Sequence, residues 1–468
     1  MRRAAFPALW LSALLVAAAA AWAPRALGQA CESARPTDAA GTTGVSYGAA
    51  KVAFLDSTSG RARVHYALSG PHVPPPASTM QDGVPDAVVV AAQAADDALA
   101  KYDELSYAKP LSDADSPCAS NGDSDAVDIY LIQFSAADGQ AVFDHCDPGP
   151  PRRCSGFVLV ESDFRGGGYS SVAEGLRTVV PHELFHLVQD AYDADVERWW
   201  AEGSAQWAAK QVYPDLRDLE RFLPGYFDNP WRPLNVPPMG VVVEFLYATA
   251  IWPVFLNERY DVSIVRQVYE GFGSDEAGVL PTTDAVLKAR GSSLAADFLQ
   301  FAVYNAATGT RAPDSGGYTD AADYPLVPVK ELDGSQPELV RYTTSGLGAF
   351  YYSLTADAAL QLSLNADAER WAGVWLPLAD GKPQLSEAKP LPTTAEGEGL
   401  VVVAGQSLLR TDAPFVLNGQ ASPADSSSSG CSTSGNLGQN VAPAGAALPF
   451  MVILLGRCRA RSRRRKVP

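Results

Sequence analysis

The segment Val179-Val180-Pro181-His182-Glu183-Leu184-Phe185-His186-Leu187-Val188-Gln189 constrains this chain more than any other stretch. Two histidines and one acid interrupt an otherwise apolar run, in a chain with only five histidines among 468 residues. A spacing of four sets both imidazoles on one face of a helix, one turn apart. The apolar residues around them need burial on the remaining faces, so the pattern predicts a core helix with one polar stripe. Gly166, Gly167 and Gly168 break the chain before it, and Ser170 or Ser171 can cap a helix running to about Tyr192. Pro181 removes one helical hydrogen bond and is expected to kink that helix just ahead of His182.

Strands are expected before this helix. Residues 62–68 alternate, while 127–134 and 156–160 are short runs of branched and aromatic residues that read as buried strands. Pro85 can open a helix whose apolar face is Val88, Ala91, Ala92, Ala95, Leu99 and Tyr102. Residues 197–320 read as mostly helical, with the clearest piece at 241–260, which charges and Pro253 interrupt too often for a membrane span. From about 325 the texture changes to short alternating runs between turn residues, predicting a small β-sandwich at 321–421. The expected class is therefore α+β. A polar linker follows at 422–440.

Both ends are set apart by charge. Residues 1–30 and 431–468 contain no acids and carry ten basic side chains; taking these ten from the formal −17 leaves −27 for the body. So acidic a body repels phosphate backbones, which excludes nucleic acid as an expected partner. Arg2 and Arg3, the apolar run 6–23 and Gly28-Gln29-Ala30 have the parts of a secretory signal peptide over residues 1–30. An uncleaved anchor and a lipid-bearing Cys31 are the alternative readings. At the other end, an apolar stretch at 441–455 precedes seven basic residues within ten positions. Fifteen residues are short for a span, and the basic cluster would stay inside by charge, so any membrane contact is expected only through this tail.

Six cysteines suit an exported chain. Cys146 and Cys154 flank a turn-forming segment and could close a short loop, which leaves Cys31 and Cys118 as the other plausible body pair. Spacing alone does not choose among the three pairings of these four. None has the C-x-x-C spacing of a structural zinc site.

The chemistry expected of His182 and His186 is metal binding, with zinc the natural ion for two imidazoles and an open position. Glu183 lies beside rather than on the metal, where it could move protons for an attacking water. A third ligand is needed. Glu202 stands sixteen residues after His186, far enough for one helix to end and another to return; Asp190, Asp193 and Asp195 come too soon. Trp199, Trp200 and Trp207 suggest that this second segment is partly buried. An oxyanion-stabilising group could be His65, His72, His145, Tyr192, Tyr213 or Tyr247, and nothing in the sequence ranks them.

Glu202-Gly203-Ser204-Ala205 resembles the E-G-x-A segment by which gluzincin peptidases supply a glutamate ligand. With residues 62–72, 82–86, 127–131, 181–193 and 199–215 in the same order, the chain resembles secreted bacterial metallopeptidases of that type over roughly 55–270. The resemblance implies a zincin-like catalytic domain at 31–320, a Zn2+ held by His182, His186 and Glu202, Glu183 as general base, and a protein or peptide substrate. Asp82-Gly83-Val84-Pro85-Asp86 lacks the longer acidic run such relatives carry before it, so Ca2+ is a minor second expectation and a tight turn the main one. Residues 121–128 are read as a loop. Cys431, the apolar segment and the Arg-rich end at 441–468 resemble the C-terminal sorting tails of myxobacterial cell-surface proteins, implying retention at the surface. Two rivals stand beside the peptidase: a surface binding protein whose zinc site is structural or degenerate, and a hydrolase of something other than peptides. No signal speaks to oligomeric state.

Overall fold

The computed structural model describes residues 34–421, apart from 39–44, 77, 82, 115–120, 123, 135–136, 166–167, 238–242, 273–277, 333–336, 342–346 and 409–413. The expected signal peptide, linker and sorting tail, together with Cys31, Asp82 and Cys118, lie outside the described residues. Helices and sheets are both present, so the chain is α+β.

The first half is built on a five-stranded mixed sheet. Its strands are β1 (Val52–Asp56), β2 (Ala62–Ala67), β3 (Val127–Ile132), β4 (Gly139–Cys146) and β5 (Cys154–Glu161). They are ordered β1-β2-β3-β5-β4, with parallel pairing at β2–β3 and β3–β5 and antiparallel pairing at both ends. Every residue of β5 is buried, as an apolar central strand requires. Cys146 and Cys154 face each other across the β4–β5 hairpin and are joined as a disulfide.

Helix α1 (Asp86–Glu104) buries the six apolar positions its periodicity picks out. It begins after a turn in which Gly83 takes the left-handed φ of 77°. There the Asp86 carboxylate accepts hydrogen bonds from the Thr79 and Met80 backbone and the Thr79 hydroxyl. Helix α2 (Val172–Asp190) packs beside it. Ser171 caps α2 by accepting from the Glu174 N–H, and the helix runs unbroken through Pro181, whose carbonyl accepts from the Tyr102 hydroxyl at 2.7 Å.

The N-terminal segment works on another set of sheet side chains. Tyr47 lies with Tyr130, Ile132, Val142, Phe157 and Leu159 in a separate small core. Arg35, fully buried, meets three carboxylates from three places: Asp113 in a loop, Asp128 on β3 and Asp144 on β4, the last at 2.6 Å. Its guanidinium also lies over the Phe157 ring at 5.0 Å, and Asp128 passes its other oxygen to His65 Nε2 at 2.7 Å.

The middle of the chain is helical: α3 (Arg198–Val212), α4 (Asp218–Phe222), α5 (Pro224–Phe227), α6 (Val243–Ala248), α7 (Ile251–Arg259), α8 (Ser263–Glu270), α9 (Val279–Ala289) and α10 (Leu294–Ala306). The single helix expected over 241–260 is two, α6 and α7. At the break Thr249 turns its hydroxyl onto the carbonyls of Trp199 and Leu246, both at 2.6 Å, while Gly203 of α3 lies close against it. No helix among the described residues is long and apolar enough to cross a membrane.

Eight strands then follow among the described residues: β6 (Lys330–Glu331), β7 (Glu338–Val340), β8 (Ala349–Asn365), β9 (Trp371–Ala379), β10 (Lys382–Pro383), β11 (Lys389–Pro390), β12 (Thr393–Gly405) and β13 (Phe415–Ala421). They make one sheet, with the main order β10-β9-β12-β8-β13-β7. Leu400, Val402 and Ala404 of β12 join the same core as Phe298 and Phe301 of α10. The alternate residues Val401 and Val403 pack with Trp371, Trp375, Phe415 and Leu417 on the other side.

Candidate metal centre

Helix α2 delivers His182 and His186 side by side. Their rings meet edge to face at 4.9 Å, and their Nε2 atoms are 3.2 Å apart. The chain leaves α2 at Asp190, turns through residues 191–197 and re-enters helix at α3, which packs against α2. Glu202, in the second turn of α3, brings Oε2 to 3.3 Å from His182 Nε2 and 3.4 Å from His186 Nε2. Trp199, Trp200 and Trp207 are all buried and fix the other faces of α3. Among the described residues, His182, His186 and Glu202 are the group of three ligand-type side chains whose atoms converge closely enough to hold one metal ion.

Glu183 is buried beside this trio. Gly139 at the start of β4 lies against it, so close that a β-carbon there would stand 2.6 Å from Glu183 Oε1. The Ala141 N–H, two residues along β4, hydrogen-bonds the Glu183 carboxylate. Only a glycine strand start lets the sheet edge approach the acid so closely.

The electrostatics favour a cation at the meeting point. Burial raises the Glu183 carboxyl above its usual range against the pull of His182, His186 and the Ala141 N–H. Burial works the same way on Glu202, but its hydrogen bonds to both imidazoles and their charges hold it well below the usual carboxylate range. Burial opposes charge on His186 too, yet Glu202 and Glu183 together push it up to about 10. Two carboxylates thus draw positive charge to one buried spot, and a proton or a metal ion answers the same need.

The outer nitrogens of both imidazoles are engaged by two glutamines, Gln206 and Gln189, that no motif marks. His182 Nδ1 lies 3.2 Å from Gln206 Oε1, and His186 Nδ1 lies 2.8 Å from Gln189 Oε1. The amide orientations follow from their other partners. Gln189 Nε2 donates to the Ala201 carbonyl at 2.8 Å and to Ser204 Oγ at 3.1 Å. Gln206 Nε2 donates to Asp218 Oδ2 at 2.6 Å. Each Nδ1 therefore keeps its proton, and the position a metal ion would take on each ring is Nε2, in place of the proton now facing Glu202. Spacing was the available signal: Gln189 follows His186 by three residues and Gln206 follows Glu202 by four, one helical turn each.

The rival carboxylates stay outside the trio. Asp190 is buried and pushed up by burial to about 7, Asp193 is half-exposed, and Asp195 is exposed near Arg152 at 3.4 Å. Of the six candidate oxyanion groups, Tyr247 alone has its ring against a site residue, edge-on to His182 at 5.3 Å. Tyr192 accepts from the Ala108 N–H, Tyr213 donates to Asp97, His65 binds Asp128, His72 accepts from the Gln133 N–H, and the His145 carbonyl accepts from Ser155. No known protein-family model matches the chain, and neither does any curated protein.

Proposed function

We propose that the chain is an exported zinc metallopeptidase of zincin-like fold, with its single eight-stranded sheet standing where a β-sandwich is expected. The observation that carries this reading is the convergence of His182, His186 and Glu202 with Glu183 alongside. Edges of 3.2, 3.3 and 3.4 Å are those of a tetrahedron whose corners lie about 2.0 Å from its centre, the distance zinc keeps from nitrogen and oxygen ligands. Three protein ligands leave the fourth corner free for water or substrate, which distinguishes catalytic from closed structural sites.

Zinc bound there would lower the pKa of a water to about 7 and polarise a carbonyl. The protein's own part falls to Glu183, which takes the proton of the attacking water and returns it to the leaving amine. Gly139 and Ala141 hold that carboxylate in place. A peptide substrate is supported by β4, the outermost strand of its sheet. The Ala141 N–H points off its open edge toward Glu183, and an extended chain laid along that edge would pass the acid. The Cys146–Cys154 disulfide fits an oxidising compartment outside the cytoplasm, in line with the signal peptide read from the sequence.

Metal content and digestion of an unfolded protein test the reading together. One zinc per chain is expected, with hydrolysis lost on chelation and restored by Zn2+. Metal retained without digestion of the protein would favour one of the two rivals over the peptidase, and a chain that binds no metal would leave only a binding protein with a degenerate site.

A further inference from the structure

Behind His182 stands a chain of hydrogen bonds that reaches a third residue. Gln206 presents its carbonyl oxygen to His182 Nδ1 and its NH2 group to Asp218 Oδ2, while the other oxygen of Asp218 accepts from Arg221 Nη1 at 3.1 Å. An amide can be turned end for end at no cost in shape, so something must decide which end faces the imidazole. A carboxylate only accepts. As long as an acid occupies position 218, the NH2 of Gln206 points to it and the oxygen is left for His182. The ring must then keep a proton on Nδ1, so that Nε2, 3.3 Å from Glu202 Oε2, is the nitrogen left for a metal ion. The corresponding decision for His186 is made by the Ala201 carbonyl, a backbone group that no substitution alters.

We propose that Asp218, two residues removed from the metal position, is a positioning residue that fixes the tautomer of His182 through Gln206 and so sets metal affinity; this rests on the metal-centre reading of the site. Asn at 218 tests the idea because it keeps the shape and removes one acceptor. Arg221 can only donate and claims the single oxygen of the asparagine, which turns the asparagine NH2 toward Gln206. Gln206 answers by reversing, its NH2 now faces His182 Nδ1, and the ring is driven to carry its proton on Nε2, where it blocks ligation.

Two readouts apply. Zn2+ and Co2+ affinities, measured by chelator competition, are expected to fall about 10- to 100-fold in Asp218→Asn, the range for losing an outer partner of a metal-bound histidine. Nitrogen-15 NMR of the metal-free protein, at a pH where the ring is neutral, should find the His182 proton on Nδ1 in the natural protein and on Nε2 in Asp218→Asn. In a Gln206→Leu background the Asp218→Asn change should have no further effect on affinity. Unchanged affinity and tautomer in Asp218→Asn, or an equal loss in the Gln206→Leu background, would overturn the proposal. So would an Nε2 proton in the natural protein, which decides the matter even if the variants do not fold. The tautomer is read without metal. A natural chain that binds neither ion therefore refutes the metal-centre reading alone.

Discussion

Replacing Glu183 by glutamine is expected to leave the metal in place and reduce turnover by about 100- to 10,000-fold, the usual contribution of a general base. His182, His186 and Glu202 supply the converging atoms, and none of them is altered. Glutamine fits the same space against Gly139 and can still accept from the Ala141 N–H through its amide oxygen. What it cannot do is take up a proton. The loss should therefore fall on kcat, with KM little changed and one metal still found per chain. Glu183→Gln protein that digests at the natural rate would remove Glu183 from the chemistry; one that loses its metal would mean that the acid belongs to the ligand set.

The second large effect is expected far from the metal, at Arg35. Its guanidinium is the cation among three buried carboxylates, Asp113, Asp128 and Asp144. Arg35→Met keeps much of the side-chain volume over Phe157 but leaves the acids to repel one another. Breaking a buried ion pair from one side costs about 3–5 kcal/mol, and denaturant unfolding should show a deficit of that size near pH 8. The deficit should depend on pH with a definite sign. Burial pushes Asp113 up to about 6 despite Arg35, and raises Asp144 in the same direction. Acids with raised values bind protons more readily folded than unfolded, so acid favours the fold, and their stabilising protonation is lost as pH rises through those values. Without the guanidinium the values climb further. The unfolded chains of the two proteins titrate alike, so the Arg35→Met deficit should shrink as pH falls from about 8 toward about 6, through the further-raised values of the variant, until Asp113 is protonated in the natural protein too. A deficit that stays constant across that window would show that Arg35 contributes by packing alone.

Local pattern made part of this molecule legible. The faces of α1 and α2 follow from apolar positions repeated every three or four residues, and β5 from an apolar run too short for a helix. The trio of His182, His186 and Glu202 was readable because two ligands sit one turn apart and the third is placed by the length of a helical hairpin. Less was visible where partners are distant. β4 mixes Gly139, Gln140, Phe143, Asp144 and His145, because one of its edges faces Glu183 and one of its side chains answers Arg35, 109 residues earlier. Neither demand leaves a periodic trace. Gln189 and Gln206 read as ordinary helix-surface amides until the imidazoles beside them are placed. The break between α6 and α7 depends on Thr249 reaching the carbonyl of Trp199 in another helix, a contact that no local preference encodes.

The core that Phe298 and Phe301 share with Leu400, Val402 and Ala404 bears on how the molecule fails when heated. Neither layer can come apart without baring the greasy underside of its neighbour, so melting of one destabilises the other. Calorimetry should record a single absorption peak for the folded body, with no plateau in which the helices survive and the sheet is gone. Two resolved peaks would mean that each layer can keep its own side chains dry.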